Sequence, residues 1–172
     1  MLLYRDVITG DEMFSDAFKI TEVAEGIAFE VDCAMITMKE GAGDIDIGGN
    51  ASAEADNQDE AMEEGMISVN NVVYSFRLQE TSFDKKSYMG YIKGYMKKVK
   101  TYLQENSPDR VEGFEKGVQP FVKKILENFK DYEFLVGENM NPDGMVALLN
   151  YREDGITPFL TFFKDGLKEE KL

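Results

Sequence analysis

The stretch FKDYEFLVGENMNPDGMVALLNYREDG, residues 129–155, decides the fold of this chain. Two apolar runs, Tyr132–Val136 and Met145–Tyr151, flank the polar segment Gly137–Gly144. The polar segment is dense in turn formers, because proline fixes φ, aspartate bonds to nearby backbone and glycine accepts a positive φ. The stretch therefore predicts a strand, a polar hairpin loop and a second strand.

Three further segments have patterns typical of strands: Leu2–Ile8, Ile27–Met38 and Ser68–Thr81. Alternation in the second of them predicts one shared face, made of Phe29, Val31, Cys33 and Met35. The third is rich in β-branched and aromatic residues, namely Val72, Val73, Tyr74 and Phe76.

Residues 84–130 have the pattern of two helices. Apolar residues recur at helical spacing from Asp84 to Glu105, at Tyr88, Ile92, Tyr95, Val99 and Tyr102. The segment Asn106–Asp109 ends this helix, and Ser107 is a candidate N-cap for the next one, with Pro108 at its first position. Pro120 predicts a kink or a displaced boundary. The predicted fold class is α+β, a mainly antiparallel sheet with an antiparallel helical hairpin.

Residues 40–66 differ sharply in composition from the rest of the chain. From Glu40 to Glu64 there are nine acidic residues and no basic ones. Such a segment buries too little apolar surface to offset its ordering entropy. We therefore predict one domain, residues 1–172, that carries a mobile acidic loop.

The composition excludes several classes of function. The formal net charge is −14, which disfavours general binding of nucleic acid or anionic membranes through the whole surface, and we expect no specific nucleic-acid partner. With no histidine and a single cysteine, a Ser-His or Cys-His nucleophile pair, a standard zinc site and an internal disulfide are all excluded. There is no phosphate-binding loop and no apolar run long enough to span a membrane. The first residues lack a basic region followed by an apolar core, so we expect no secretory signal. We expect a cytosolic protein that is not one of the common hydrolases, and these absences leave open a GTPase binder or an unusual enzyme.

Five stretches resemble the translationally controlled tumour protein (TCTP) family, and they occur in the family's order along the whole chain. They are MLLYRDVITGDEMFSD (1–16), IGGNASAEA (47–55), LQETSFDKKSYMGYIKGYMK (78–97), GENMNPDGMVALLNYREDG (137–155) and FFKDGLKEEK (162–171). The resemblance implies a β-tent-like core with a projecting helical hairpin. It also implies a cytoplasmic, non-enzymatic regulator of growth and protein biosynthesis that is partly associated with microtubules, with tubulin and the translation machinery as partners.

The predicted hairpin has the opposite charge to the rest of the chain. Residues 84–130 contain eleven Lys or Arg and six Asp or Glu, which is a net charge of +5, so the remainder carries −19. Charge alone favours a solvated helix face that offsets the acidic body. The resemblance favours contact with the acidic tails of tubulin, for which Lys93, Lys97 and Lys100 are the candidate residues.

The acidic segment raises the question of calcium, which prefers several oxygen ligands. An EF-hand that began at Asp44 would have Gly48 and Ala55 at two ligand positions, so the spacing favours a solvated acidic run. Members of the resembled family bind calcium, and we therefore expect weak calcium binding with Asp44, Asp46 and Glu54 as candidate ligands. No cofactor is expected to be required.

Asp11 and Glu12 follow the first predicted strand and, on their own, indicate only an exposed turn. In the resembled family the matching glutamate is implicated in contact with the small GTPase Rheb, so Glu12 is the candidate for that contact. The alternative function is accordingly a regulator of a Rheb-type GTPase, either an exchange factor or a binder. Many animal members end in cysteine, whereas position 172 is leucine here, so we expect no disulfide dimer through the terminus.

Overall fold

Antiparallel sheets dominate the computed structural model of this chain, which describes residues 1–39 and 66–172. The strands in these ranges are β1 (Leu2–Asp6), β2 (Glu12–Ser15), β3 (Ile20–Val23), β4 (Ala28–Asp32), β5 (Met35–Lys39), β6 (Met66–Asn70), β7 (Gln79–Thr81), β8 (Glu133–Val136), β9 (Ala147–Tyr151), β10 (Pro158–Phe163) and β11 (Leu167–Lys171). The α-helices are α1 (Asn71–Phe76), α2 (Lys85–Asn106) and α3 (Val111–Glu127). Short 3-10 helices cover Ala24–Gly26, Pro108–Arg110, Phe129–Asp131 and Lys164–Gly166.

The strands form three sheets within the described ranges. The largest has the order β3-β4-β10-β9-β8-β7, a second has the order β11-β1-β2, and β5 pairs with β6 as a separate ribbon. The hairpin predicted from residues 129–155 is confirmed, because β8 and β9 are antiparallel partners with Glu133 opposite Leu149 and Leu135 opposite Ala147. The predicted α+β class with mainly antiparallel sheets is also confirmed.

The helical hairpin of α2 and α3 packs against the sheets through aromatic side chains. The ring of Tyr88 lies 5.5 Å from that of Phe134, and Phe163 contacts both Tyr95 at 5.9 Å and Phe121 at 5.7 Å. Aromatic pairs at these centroid distances are favourable beyond the area that they bury. The predicted spacing of α2 is realised as a buried stripe of Tyr88, Ile92, Tyr95, Val99 and Leu103. Leu103 replaces the predicted Tyr102, which is only partly buried.

The single strand predicted for Ile27–Met38 is wrong, because the segment divides into β4 and β5. The break falls at Cys33 and Ala34, where the Cys33 amide donates to the Pro158 carbonyl and the Ala34 amide donates to Asn71 Oδ1. The chain then leaves the large sheet to pair with β6. Met35 is consequently 50% exposed rather than on the buried face predicted for it.

The strand predicted for Ser68–Thr81 is also wrong, since it contains helix α1 between β6 and β7. Asn70 causes the change by capping the helix. Its Oδ1 accepts hydrogen bonds from the amides of Val72 at 2.9 Å and Val73 at 3.1 Å. An N-cap asparagine satisfies amides that a helix start leaves unpaired, and here it overrides the β propensity of the residues that follow.

The connection between α2 and α3 differs from its prediction in two details. Ser107 makes no side-chain cap; instead its amide donates to the Leu103 carbonyl at 2.7 Å, and a 3-10 turn begins at Pro108. Pro120 does not displace a boundary, because α3 continues from Val111 to Glu127 with this proline inside it. The antiparallel arrangement of the two helices is preserved.

Residues 40–65 lie outside the described ranges, so the mobility predicted for the acidic loop stays a prediction. None of the described helices is long and apolar enough to cross a membrane.

Cys33 provides a direct test of the core. The side chain is buried, and burial raises the pKa of its thiol to about 11. Because the thiolate is the reactive form, we expect the native protein to react with a thiol reagent at pH 8 on the order of 100-fold more slowly than the urea-unfolded protein. Comparable rates in the two states, measured by absorbance, would contradict the burial of Cys33.

Candidate functional site

The buried carboxylate of Asp6 holds the loop of residues 137–146, which connects β8 to β9. One oxygen, Oδ2, accepts from the Met145 amide at 2.7 Å and from the Thr9 hydroxyl at 3.1 Å, while Oδ1 accepts from the Ile8 amide at 2.8 Å. Asp6 is only 3% exposed. A buried carboxylate is tolerated when donors surround it, and these three donors come from two distant parts of the chain.

Asp11 makes a second bond to the same loop. Its Oδ1 accepts from Asn139 Nδ2 at 2.6 Å, and its side chain is buried. The prediction that Asp11 lies in an exposed turn is therefore wrong. Glycine is required opposite both carboxylates, because a Cβ at Gly137 would overlap Asp11 and a Cβ at Gly144 would lie 2.8 Å from Asp6 Oδ2.

Helix α2 holds the loop from the other side through Tyr91. The hydroxyl of Tyr91 donates to the Gly144 carbonyl at 2.7 Å and accepts from the Val146 amide at 3.0 Å. Burial raises the pKa of Tyr91 well above its usual value, so this hydroxyl stays protonated and keeps its donor. The loop thus connects the β1–β2 turn to the helical hairpin.

Two ion pairs and one strained residue lie at the surface of the loop. Lys98 of α2 contacts Asp143 at 2.9 Å, and Arg77 contacts Glu138 at 3.1 Å. Met140 has a φ of +54° and is 54% exposed. A left-handed conformation is costly for a non-glycine residue, so the surrounding bonds hold Met140 in this exposed position.

Glu12, the candidate residue for a GTPase contact, lies at the first position of β2. Its side chain is half exposed and is 3.5 Å from Arg5 Nη2, which belongs to β1. Arg5 makes a shorter bond to Glu170, at 2.6 Å, so Glu12 is the weaker of its two partners. The carboxylate of Glu12 is therefore accessible, and the buried Asp11 fixes the backbone beside it.

The three candidate lysines lie along one side of α2, because positions 93, 97 and 100 are one helical turn apart. Lys93 and Lys97 are exposed, and within the described ranges neither makes an ion pair. Lys100 contacts Glu115 of α3 at 2.7 Å. The hairpin itself therefore neutralises Lys100, a distinction that the sequence did not reveal.

The candidate calcium ligands Asp44, Asp46 and Glu54 lie outside the described residues. Elsewhere, in residues 1–39 and 66–172, no group of three or more His, Cys, Asp or Glu side chains is arranged to hold a metal ion. Weak calcium binding by the acidic segment stays a prediction.

The titration of Asp6 tests the geometry of the loop, with Asp154 as the matched control. Burial raises the pKa of Asp6, whereas hydrogen bonds from the Thr157 and Ile156 amides lower the pKa of exposed Asp154. In carboxyl NMR titrations we expect the pKa of Asp6 to lie above, and that of Asp154 below, the ordinary aspartate value of about 3.9.

These opposite shifts have opposite effects on stability. Protonation of Asp6 increases the free energy of unfolding as the pH falls through its raised folded-state pKa, because the folded state binds this proton more tightly than the unfolded state does. The contribution of Asp154 is present above its unfolded-state pKa and is lost as the pH falls through the folded-state value. An Asp6 midpoint at or below that of Asp154 would contradict the observed burial.

Comparisons with known proteins agree with this architecture. The sequence profile described as "Translationally controlled tumour protein" matches residues 1–168. The chain is 63% identical over 171 residues to the translationally-controlled tumor protein homolog of Schizosaccharomyces pombe, with 99% of each chain covered. It is 58% identical over 172 residues to the homolog of Yarrowia lipolytica, with all of both chains covered.

Solved structures give the same result. The translationally controlled tumor-associated protein p23fyp of Schizosaccharomyces pombe superimposes with a TM-score of 0.82 at 63% identity, covering all of both chains. The NMR structure of the TCTP of Caenorhabditis elegans has a TM-score of 0.71 at 32% identity, covering 100% of this chain and 99% of that one. The chain therefore belongs to the translationally controlled tumour protein family.

Proposed function

We propose that this protein is a non-enzymatic regulatory protein of the cytoplasm, associated with translation and cell growth, that binds microtubules or tubulin through the basic face of its helical hairpin. The observation that supports the proposal is the exposure and lack of pairing of two lysines within the described residues. Lys93 and Lys97 are exposed and make no ion pair in the part of the chain that the structure describes. They are free to contact an acidic partner.

The charge distribution supports this proposal. Residues 84–130 carry a net charge of +5 in a chain whose total is −14. An acidic polymer is attracted to such a local basic surface and repelled by the remaining surface, which orients the encounter. The acidic tails of tubulin have the required charge.

The chemistry of Cys33 supports a non-enzymatic role. It is the only cysteine in a chain without histidine, and burial raises the pKa of its thiol to about 11. A protonated, buried thiol is a poor nucleophile. Cys33 is therefore not a candidate nucleophile.

Charge reversal of the three candidate lysines of α2 tests microtubule binding. The triple variant Lys93→Glu, Lys97→Glu and Lys100→Glu should reduce co-sedimentation with microtubules on the order of ten-fold or more, since it replaces attraction with repulsion. The wild type should also release as salt rises, because exposed charges are screened over about 8 Å at physiological ionic strength. Restoring Lys100 alone should recover little binding, as Glu115 already neutralises it.

The matched control makes the same change in charge away from the hairpin. Lys19, Lys168 and Lys171 are exposed, and their reversal to glutamate should leave most of the co-sedimentation intact. Equal losses in the two triple variants would show that net charge, and not the hairpin face, controls binding. Unchanged binding by the folded hairpin variant would place the contact on another surface.

A second candidate function is regulation of a Rheb-type small GTPase through Glu12. One observation favours it: the accessible carboxylate of Glu12 extends from a rigid backbone, because the adjacent Asp11 is bonded to Asn139 of the loop. A preorganised carboxylate pays little entropy to meet a basic group of a partner. Arg5 is bonded mainly to Glu170, so it competes only weakly for the carboxylate of Glu12.

The variant Glu12→Val separates the two functions. It removes an exposed ion pair, so the free energy of unfolding should change by no more than about 0.5–1 kcal/mol. Binding of a Rheb-type GTPase in a pull-down should fall, while microtubule co-sedimentation should stay unchanged. Glu22→Val serves as the control, because it removes a similarly exposed ion pair with Lys164 and leaves both Glu12 and Arg5 in place, so GTPase binding should be retained. If GTPase binding persists in Glu12→Val, the second candidate loses the residue that defines it.

A further inference from the structure

A cleft of about 460 Å³ lies between α2 and residues 136–146. Its size falls within the range of about 300–1,000 Å³ that is typical of ligand-binding pockets. Aromatic and aliphatic side chains line most of it, including Phe83, Tyr91, Val136, Met140, Pro142 and Val146. Neither the lysine contact nor the Glu12 contact proposed above uses this cleft.

The loop wall of the cleft is fixed before any partner arrives. Tyr91 bonds both Gly144 and Val146, and Asp6 bonds the intervening Met145 amide. Met140 lines the same cleft and is exposed in a left-handed conformation. Methionine adapts its shape to varied apolar surfaces, so a rigid wall presents one adaptable apolar contact.

The helix wall of the cleft contains two glycines, Gly90 and Gly94, one turn apart in the interior of α2. Glycine is less favourable in a helix interior than every residue except proline. A Cβ at either position would meet no atom within 4 Å. At Gly117 of α3, by contrast, a Cβ would lie 2.5 Å from Ile27. Packing within the described chain thus explains Gly117 but leaves open space above Gly90 and Gly94.

Lysines border the helix wall. Helical spacing places Lys86, Lys93 and Lys97 beside Gly90 and Gly94. All three lysines are exposed, and among the described residues none of them makes an ion pair. A partner that enters the cleft over the bare helix backbone therefore meets lysines unpaired among the described residues on one side. On the other side it meets a mostly apolar loop wall that also contains Asp143, which is paired with Lys98.

We propose that this cleft docks an acidic amphipathic helix of a partner protein. The apolar side chains of the partner enter between Tyr91 and Met140, its backbone crosses Gly90 and Gly94, and its carboxylates contact the lysine row. Helices bind apolar grooves in this way through residues one turn apart. The inference rests on the proposed function for the charge contact and deepens it, because an extended acidic tail would contact the lysines and leave the cleft empty.

The variant Gly94→Leu tests the cleft without removing any charge. Leucine favours the helix more than glycine does, and its side chain extends into open space, so the variant should fold. The probe is a labelled synthetic peptide of about 18 residues with leucines on one helical face and glutamates elsewhere. By fluorescence anisotropy, we expect the variant to bind the probe at least about ten-fold more weakly than the wild type does.

Two controls accompany this measurement. Thr21→Leu adds the same side chain at an exposed position of β3 that lines neither the cleft nor the groove beside the lysines, and it should bind the probe as the wild type does. The double variant Gly90→Ala and Gly94→Ala should melt about 5 °C higher, because alanine favours the helix, and should nonetheless bind the probe more weakly.

Peptides of equal charge distinguish this inference from the proposed function. A scrambled peptide of the same composition and a shorter all-glutamate peptide with the same number of glutamates should both bind at least about ten-fold more weakly than the amphipathic probe. Three results together would overturn docking in the cleft and leave the charge contact in place. These are equal binding of all three peptides, no effect of Gly94→Leu, and loss of binding upon lysine reversal. Failure of the wild type to bind the amphipathic probe would also overturn the inference.

Discussion

A buried carboxylate must be surrounded by hydrogen-bond donors, and the way in which Asp6 meets this requirement organises the structure. Two of its donors, Ile8 and Thr9, belong to its own turn, but the third is the amide of Met145, which is 139 residues further along the chain. No local segment supplies that third donor. The three-stranded sheet, which contains Asp6, is therefore tied to the loop between β8 and β9 of the six-stranded sheet.

The position of the helical hairpin depends on the same loop. Tyr91 binds the loop near one end of α2, while Arg110, between α2 and α3, makes two bonds of 2.8 Å and 2.6 Å to the buried Asp165. Two distant anchors prevent the hairpin from pivoting on the sheets. The hairpin consequently keeps a fixed position relative to the loop, so the exposed lysines, Gly90 and Gly94 are fixed relative to Met140. Fixed positions are a condition for recognising a partner by both charge and shape.

Local pattern was sufficient to predict the elements whose contacts are local in the chain. The β8–β9 hairpin follows from turn chemistry, and α2 follows from the spacing of its apolar residues. The strand predicted across α1 failed because one capping side chain, Asn70, outweighed the β propensity of several neighbours. An N-cap asparagine before an apolar run was a signal available in the sequence, and it was missed.

The state of the candidate site residues could not be predicted from the sequence, because it depends on distant partners. Asp11 is buried since Asn139 and Gly137 approach it from the loop. Lys100 is neutralised because the return helix places Glu115 beside it, whereas Lys93 and Lys97, on the same side of α2, have no such neighbour among residues 1–39 and 66–172. Charge counting treats all three lysines alike, and only the packing of the two helices separates them.

The central role of Asp6 is tested most directly by amide hydrogen exchange in the variant Asp6→Ala, with Asp143→Ala as the control on the loop. Asp143 is largely exposed and makes one surface ion pair, so its loss should have little effect. Removing Asp6 leaves the buried Met145 amide without a partner, which costs about 1–3 kcal/mol. Exchange at Met145 and Val146 should accelerate by about ten-fold or more as the free energy of unfolding falls. Unchanged exchange at Met145 in a folded Asp6→Ala protein would contradict the account.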